Sequence, residues 1–194
     1  LYPPGSTFKI ITALSYLKNG GRLTDSFDCK GSYTQDGYTI HCYGGEVHGN
    51  QTFKQAFGNS CNVAFSQVGL SLPKGALKST AQEFYFNKRI PADFSNVNKS
   101  QFTLKSSDNQ AMVMQTAIGQ GNTLVTPLHM ALICEALCND GVLKTPYVVD
   151  HIVNDGGSLV RRHTGSGQRI CTESEAHTVR SLMRYVVTNG TGRV

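Results

Sequence analysis

Pro3-Pro4-Gly5-Ser6-Thr7-Phe8-Lys9-Ile10 is the stretch on which the reading of this sequence turns. Two prolines stiffen the chain and a glycine releases it. The apolar spacing of Ile10, Ile11, Leu14 and Leu17 then predicts a helix from about Ser6 to Lys18, stopped by Asn19-Gly20-Gly21. Ser6 and Lys9 are three residues apart, so they share a face. A serine hydroxyl is a poor nucleophile until a base takes its proton, and a lysine serves as that base once desolvation lowers its pKa. The S-x-x-K spacing alone is weak. With 16 Ser and 10 Lys among 194 residues, chance supplies about one match, and three occur. Ser15–Lys18 falls at a helix end and Ser71–Lys74 contains Pro73, whereas Ser6 follows a Pro-Pro-Gly and opens a helix at the positive end of its dipole.

Downstream, Ser60-Cys61-Asn62 is an S-x-N at a break between two helical segments, Thr52 to Phe57 and Asn62 to Val68, interrupted by Gly58-Asn59. At such a kink both polar side chains can face a cleft. Ser107-Asp108-Asn109 has the same spacing, but its residues suit an N-cap before Ala111-Met112-Val113, with Ser107-Asp108 capping a segment that reaches Ile118. Lys144-Thr145-Pro146 comes near a Lys-Thr-Gly triplet and fails. Proline removes a ladder N–H, and the missing glycine is what would let a ligand lie against a strand.

The remaining chain predicts helices over Pro73 to Phe86, Leu128 to Leu137 behind Thr126-Pro127, and a last one behind the capping box Thr172-x-x-Glu175. That last helix presents Ala176, Val179, Leu182, Met183 and Val186 on one face. β-Hairpins are predicted over 27 to 43, about Asp36-Gly37, and over 146 to 162, about Asn154-Asp155-Gly156-Gly157. Leu, Ile, Val and Phe make up about 24% of the residues, above the range of disordered chains. No apolar run approaches the ~18 residues of a membrane span, and no signal peptide is visible, so any anchor or export signal is expected to lie outside this chain. The net charge of +5 is scattered rather than gathered into a basic stripe, which argues against nucleic acid as a partner. Six cysteines form no C-x-x-C. Cys29, His41, Cys42 and His48 are close in sequence, but their spacing matches no standard zinc pattern, and neither a metal nor a cofactor is expected. Cys29 and Cys42 are predicted to be diagonal neighbours on one hairpin face, so a disulfide between them would need a bulge. Cys134 and Cys138 read as helix packing.

In this order, S-x-x-K followed by S-x-N is the signature of penicillin-binding proteins and class A β-lactamases. Pro3 to Ile10 resembles the active-site segment of the penicillin-binding transpeptidases. Gly58-Asn59-Ser60-Cys61-Asn62-Val63-Ala64-Phe65 resembles their S-x-N segment. Ala117-Ile118-Gly119-Gln120-Gly121 with Val125-Thr126-Pro127-Leu128-His129-Met130-Ala131 resembles their G-Q-G-x-x-x-x-x-P-L stretch. The resemblance spans nearly the whole chain and is closest to monofunctional, class B members. It implies an α+β fold of the penicillin-binding transpeptidase and serine β-lactamase type. In the family a K-T-G follows a helix ending like Thr188-Asn189-Gly190-Thr191-Gly192. Residues 1–194 are therefore expected to be a partial domain, mainly helical with two hairpins, lacking N-terminal sheet strands and the K-T-G strands. The apolar faces of the first and last helices are expected to want a sheet to cover them. The resemblance further implies a serine D-Ala-D-Ala transpeptidase that cross-links peptidoglycan and is acylated by β-lactams. Ser6 would be the nucleophile, Lys9 the base, Ser60 a proton relay, and Asn62 the residue that holds Lys9 and binds the substrate amide. Stem peptides and β-lactams would be its ligands, and membrane-bound cell-wall synthesis proteins its partners. It would work outside the plasma membrane, anchored by an N-terminal helix absent from this chain. A β-lactam sensor domain and a serine β-lactamase are the alternatives, and the G-Q-G-x-x-x-x-x-P-L stretch argues against the second.

Overall fold

The computed structural model describes residues 1–95 and 97–193. Among these, helices dominate and strands occur only as two-stranded antiparallel ribbons, so the α+β expectation without a large central sheet holds. A 3-10 turn over Gly5–Phe8 runs directly into α1 (Lys9–Lys18). Ser6 therefore sits in the tight turn rather than in the α-helix proper. Phe8 is fully buried against Phe86 and Phe102, with ring centroids 5.6 and 6.0 Å away, and pins this turn to the core.

Thr52 and Gln55 make a reciprocal capping box that starts α2 (Phe53–Gly58). After the Asn59-Ser60 break, α3 runs over Asn62–Ser71, longer than its sequence pattern indicated. α4 (Ala76–Glu83) is shorter than the predicted 73 to 86, because Gly75 adopts φ +85° before it and the chain turns at Phe84. α5 (Gln110–Ala117) is capped by Asn109, whose side chain accepts from Met112 N–H at 3.0 Å. Ser107 is not the cap, and Asp108 instead accepts from Lys105 N–H at 2.7 Å in the turn before the helix. Thr126 caps α6 (Pro127–Cys138), and the Thr172–Glu175 capping box starts α7 (Glu173–Asn189), both as predicted.

The first hairpin is shorter than expected. β2 (Ser32–Gln35) and β3 (Tyr38–His41) pair about Asp36-Gly37 with Gln35 opposite Tyr38. β1 (Ser26–Cys29) leaves them at Gly31, whose φ of +86° breaks the strand, and pairs with β4 (Gly49–Thr52). Cys29 consequently faces Gly49, not Gly44. The exchange lets Phe27 pack between Tyr16 and Phe53 at 6.2 and 6.1 Å. The second hairpin exists as β6 (His151–Val153) and β7 (Leu159–Arg162). Outside it, β5 (Val142–Lys144) pairs with β8 (Gly167–Arg169), a ribbon the sequence pattern did not announce.

The apolar faces expected to want a sheet are largely covered by other helices. α7 lies against α2, α6 and α1, which buries Ala176, Val179 and Leu182, while Ile11 and Leu14 of α1 are buried in the same core. Burying each of the larger side chains among these, Ile11, Leu14, Val179 and Leu182, is worth about 1.5–3 kcal/mol. Among the described residues no helix is long and apolar enough to cross a membrane.

Candidate active site

The site assembles where the Gly5–Phe8 turn meets the break between α2 and α3. Lys9 is 2% exposed, and its ammonium faces four oxygens. Its Nζ lies 2.6 Å from the Ser60 carbonyl, 2.8 Å from Asn62 Oδ1, 3.0 Å from Ser60 Oγ and 3.2 Å from Ser6 Oγ. It also lies 5.5 Å from the centroid of the buried Phe65 ring. Burial pulls the Lys9 pKa down to about 8, while Cys61 and Cys42 act in the opposite sense. All four residues singled out from the sequence, Ser6, Lys9, Ser60 and Asn62, are thus brought together.

The partner types carry chemical information. The Ser60 carbonyl and the Asn62 Oδ1 only accept, so a neutral lysine amine spends its two protons on them. Its lone pair is then left for the hydroxyls of Ser6 and Ser60. Ser6 is exposed at the mouth of the site and Lys9 is sealed beneath it. A reachable hydroxyl therefore sits on a base shielded from bulk water.

Backbone geometry holds these groups in place. Ser60 has φ +50°, a left-handed conformation that costs a non-glycine residue of order 1–3 kcal/mol and aims both its carbonyl and its hydroxyl at Lys9. Asn62 donates Nδ2–H to the His41 carbonyl at 2.9 Å, which fixes the amide so that Oδ1 faces Lys9. Gly119 lies under the turn that carries Ser6. Gly5 N–H donates to its carbonyl at 2.9 Å, and a Cβ on Gly119 would stand 1.9 Å from the Gly5 carbonyl oxygen. Gly58 and Gly190 meet equally closely: a Cβ on Gly190 would be 2.1 Å from Gly58 O, and Thr191 N–H donates there at 3.1 Å.

Two connected hollows flank Ser6 and Ser60. One, of about 290 Å³, is mostly apolar and walled by Ile10, Phe57, Met183 and Val186. The other is of mixed polarity and reaches His41, Tyr43, Asn62 and Gln120. Thr191 edges both. The sequence motifs do not single out Thr191, Met183 or Gln120 as site residues. The G-Q-G and T-N-G-T-G glycines marked their segments, but the spacing does not reveal which groove they line. The decoys stay away. Asn109 caps α5, and Lys144 ends β5 with its N–H on Glu135. A further serine–histidine pair, His129 Nδ1 and Ser100 Oγ at 2.7 Å, is sealed in the core with His129 Nε2–H on the Phe84 carbonyl.

The family profile described as penicillin binding protein transpeptidase domain matches residues 1–194. The chain belongs to the penicillin-binding protein transpeptidase family. Among curated relatives, Stage V sporulation protein D of Bacillus subtilis is 29% identical over 99% of the chain and 30% of its own length. Peptidoglycan D,D-transpeptidase PbpA of Mycobacterium tuberculosis is 31% identical over 87% of the chain and 35% of its own length. The chain thus spans about a third of the curated relatives it matches. The crystal structure of PBPA from M. tuberculosis superposes with a TM-score of 0.88 at 28% identity, covering 95% of this chain and 44% of that one. The penicillin G acyl-enzyme complex of the same M. tuberculosis protein gives 0.87 at 28%, over 97% of this chain and 45% of that one. These likenesses establish the transpeptidase fold expected from the motifs.

Proposed function

We propose that Ser6 is the nucleophile of a D-Ala-D-Ala transpeptidase and that Lys9 is its base. The observation that carries this reading is the Lys9 amine, buried against two acceptor-only oxygens and two hydroxyls. Neutral Lys9 takes the Ser6 proton as Oγ attacks the penultimate D-Ala carbonyl of a stem peptide. The Ser6 N–H, a first-turn amide with no acceptor within its turn, is one donor to the developing oxyanion. Ser60 relays the proton from Lys9 to the leaving D-Ala amine. Asn62 keeps Lys9 in register and offers its amide to the substrate backbone. An amine of a neighbouring stem peptide then attacks the acyl-enzyme, giving the cross-link and freeing Ser6. β-Lactams acylate the same hydroxyl. In the complete protein this chemistry takes place at the outer face of a bacterial plasma membrane, alongside other cell-wall synthesis proteins.

The test is to trap the complete protein with penicillin and map the adduct by peptide mass. The expected adduct is on Ser6, absent in Ser6→Ala, with no repeated hydrolysis of the drug. An adduct on Ser15, Ser60 or Ser107 overturns the assignment, and rapid repeated hydrolysis would mark a β-lactamase instead.

A further inference from the structure

Behind the Ser60–Asn62 loop, three thiols and an imidazole converge from four separate segments. Cys29 ends β1, Cys42 follows β3, His48 precedes β4 and Cys61 is the N-cap residue of α3. Cys29 Sγ lies 3.6 Å from Cys42 Sγ and 3.3 Å from His48 Nδ1, and Cys42 Sγ lies 3.7 Å from Cys61 Sγ. All four ligand atoms are within 4.8 Å of one another. The three cysteines are buried and the His48 side chain is only 11% exposed.

Packing alone would account for buried thiols, which behave as small hydrophobes. It does not account for an imidazole nitrogen aimed at one of them. A disulfide would use two sulfurs and strand the third with the imidazole, and no pair approaches the ~2.05 Å of an S–S bond. A tetrahedral ion fits all four. With metal–sulfur bonds of about 2.3 Å and a metal–nitrogen bond of about 2.0–2.1 Å, the edges of the tetrahedron are about 3.8 Å for S···S and about 3.6 Å for S···N. The three separations given above sit close to those edges, and the remaining three are within 4.8 Å. The surroundings match as well. Glu46 Oε2 lies 3.5 Å from His48 Nε2, the ring nitrogen other than the one that faces the thiols, where a carboxylate can orient a ligating imidazole. Ala64 N–H donates to Cys61 Sγ at 3.4 Å, as a backbone amide does to a metal thiolate.

We propose that Cys29, Cys42, His48 and Cys61 form a closed Cys3His site for a zinc-type divalent cation, with Glu46 as the positioning residue for His48. Soft thiolates with one imidazole in tetrahedral array select zinc over oxygen-loving cations. Binding displaces the thiol protons to solvent. All four positions come from the protein, so the ion is structural. It ties β1, the end of β3, the loop before β4 and the start of α3 to one point, next to Ser60 and Asn62. Spacing alone reads Cys29, His41, Cys42 and His48 as no zinc pattern and predicts no metal; the fold groups three of them with a different fourth residue. His41 is exposed and enters only through its carbonyl, and Cys61 takes its place.

The test uses the complete protein purified under reductant without chelator. Elemental analysis is expected to find about one zinc per chain, and cobalt exchange to give tetrahedral ligand-field bands with a thiolate charge-transfer band. Alkylation followed by peptide mapping is expected to spare Cys29, Cys42 and Cys61 and to modify the exposed Cys138. Cys42→Ser is expected to lose the cobalt–thiolate spectrum. In case that variant does not fold, Glu46→Gln, at an exposed residue, is expected to fold and to bind cobalt about 10- to 100-fold more weakly. Metal-free protein with all three thiols reactive, a Cys29–Cys42 disulfide that survives the purification reductant, or Glu46→Gln binding as tightly as the parent would each overturn the proposal.

Discussion

Replacing Asn62 by Asp puts a carboxylate oxygen where the amide Oδ1 now stands, 2.8 Å from Lys9 Nζ. The shape is nearly unchanged, and what changes is charge. At this range an opposite charge favours the protonated amine by about one to three pKa units. With Lys9 at about 8, about 9% of molecules hold the neutral amine at pH 7. Raised by one to three units, that share falls to between about 1% and about 0.01%. If neutral Lys9 takes the Ser6 proton, acylation at pH 7 falls about 10- to 1,000-fold, and the pH midpoint climbs by the same one to three units. Acylation by a fluorescent penicillin, followed in the complete protein from about pH 6 to 10, reads both quantities. The rate of Asn62→Asp is expected to recover toward the parent as pH rises. Asn62→Ala loses the contacts to Lys9 and to the His41 carbonyl but adds no charge, so it is expected to slow acylation without raising the midpoint. A loss for Asn62→Asp that is equal at every pH, with an unmoved midpoint, would refute the assignment of Lys9 as the titrating base.

Gly119→Ala is expected to cost at least about 1–3 kcal/mol, because φ is +76° and the new Cβ would lie 1.9 Å from Gly5 O. Acylation should drop with it, since Gly5 adjoins Ser6; a parent-like melting temperature would contradict the packing described. Asn109→Ala should remove about 0.5–2 kcal/mol by denaturant titration and leave acylation intact, whereas Ser107→Ala should change neither. Burial of His129 lowers its pKa below that of the unfolded chain, so the unfolded state takes up a proton first on acidification. Stability from this residue is therefore complete above about pH 6.5 and declines as pH falls below it. His129→Gln should flatten that part of the stability profile, and an unchanged slope would show that other groups set it.

The candidate site residues were legible because their local context was unusual. Pro3-Pro4-Gly5 before Ser6, and Gly58-Asn59 before Ser60, mark places where the backbone must turn sharply, and a side chain at such a turn is offered to a cleft. Helix caps at Thr126 and Thr172 were legible for the same reason, since a cap is decided within four residues. Ser107 was misassigned as a cap because Ser, Asp and Asn all suit that role, and only the φ/ψ of the folded turn gave it to Asn109.

What the sequence by itself determined, then, is most of the turns, caps and apolar stripes, together with Ser6, Lys9, Ser60 and Asn62 as candidates. The tertiary structure decided which of these meet. That β1 abandons its neighbour for β4 depends on Phe27 packing between Tyr16 and Phe53, contacts with no local signal. That Gly119 cradles Gly5, and Gly190 cradles Gly58, depends on backbones far apart in sequence approaching closer than any side chain permits. That Cys61 rather than His41 joins Cys29, Cys42 and His48 depends on where α3 begins in space. The lowered pKa of Lys9 exists only because the folded core takes it out of water, and a desolvation energy belongs to the assembled site, not to any four-residue motif.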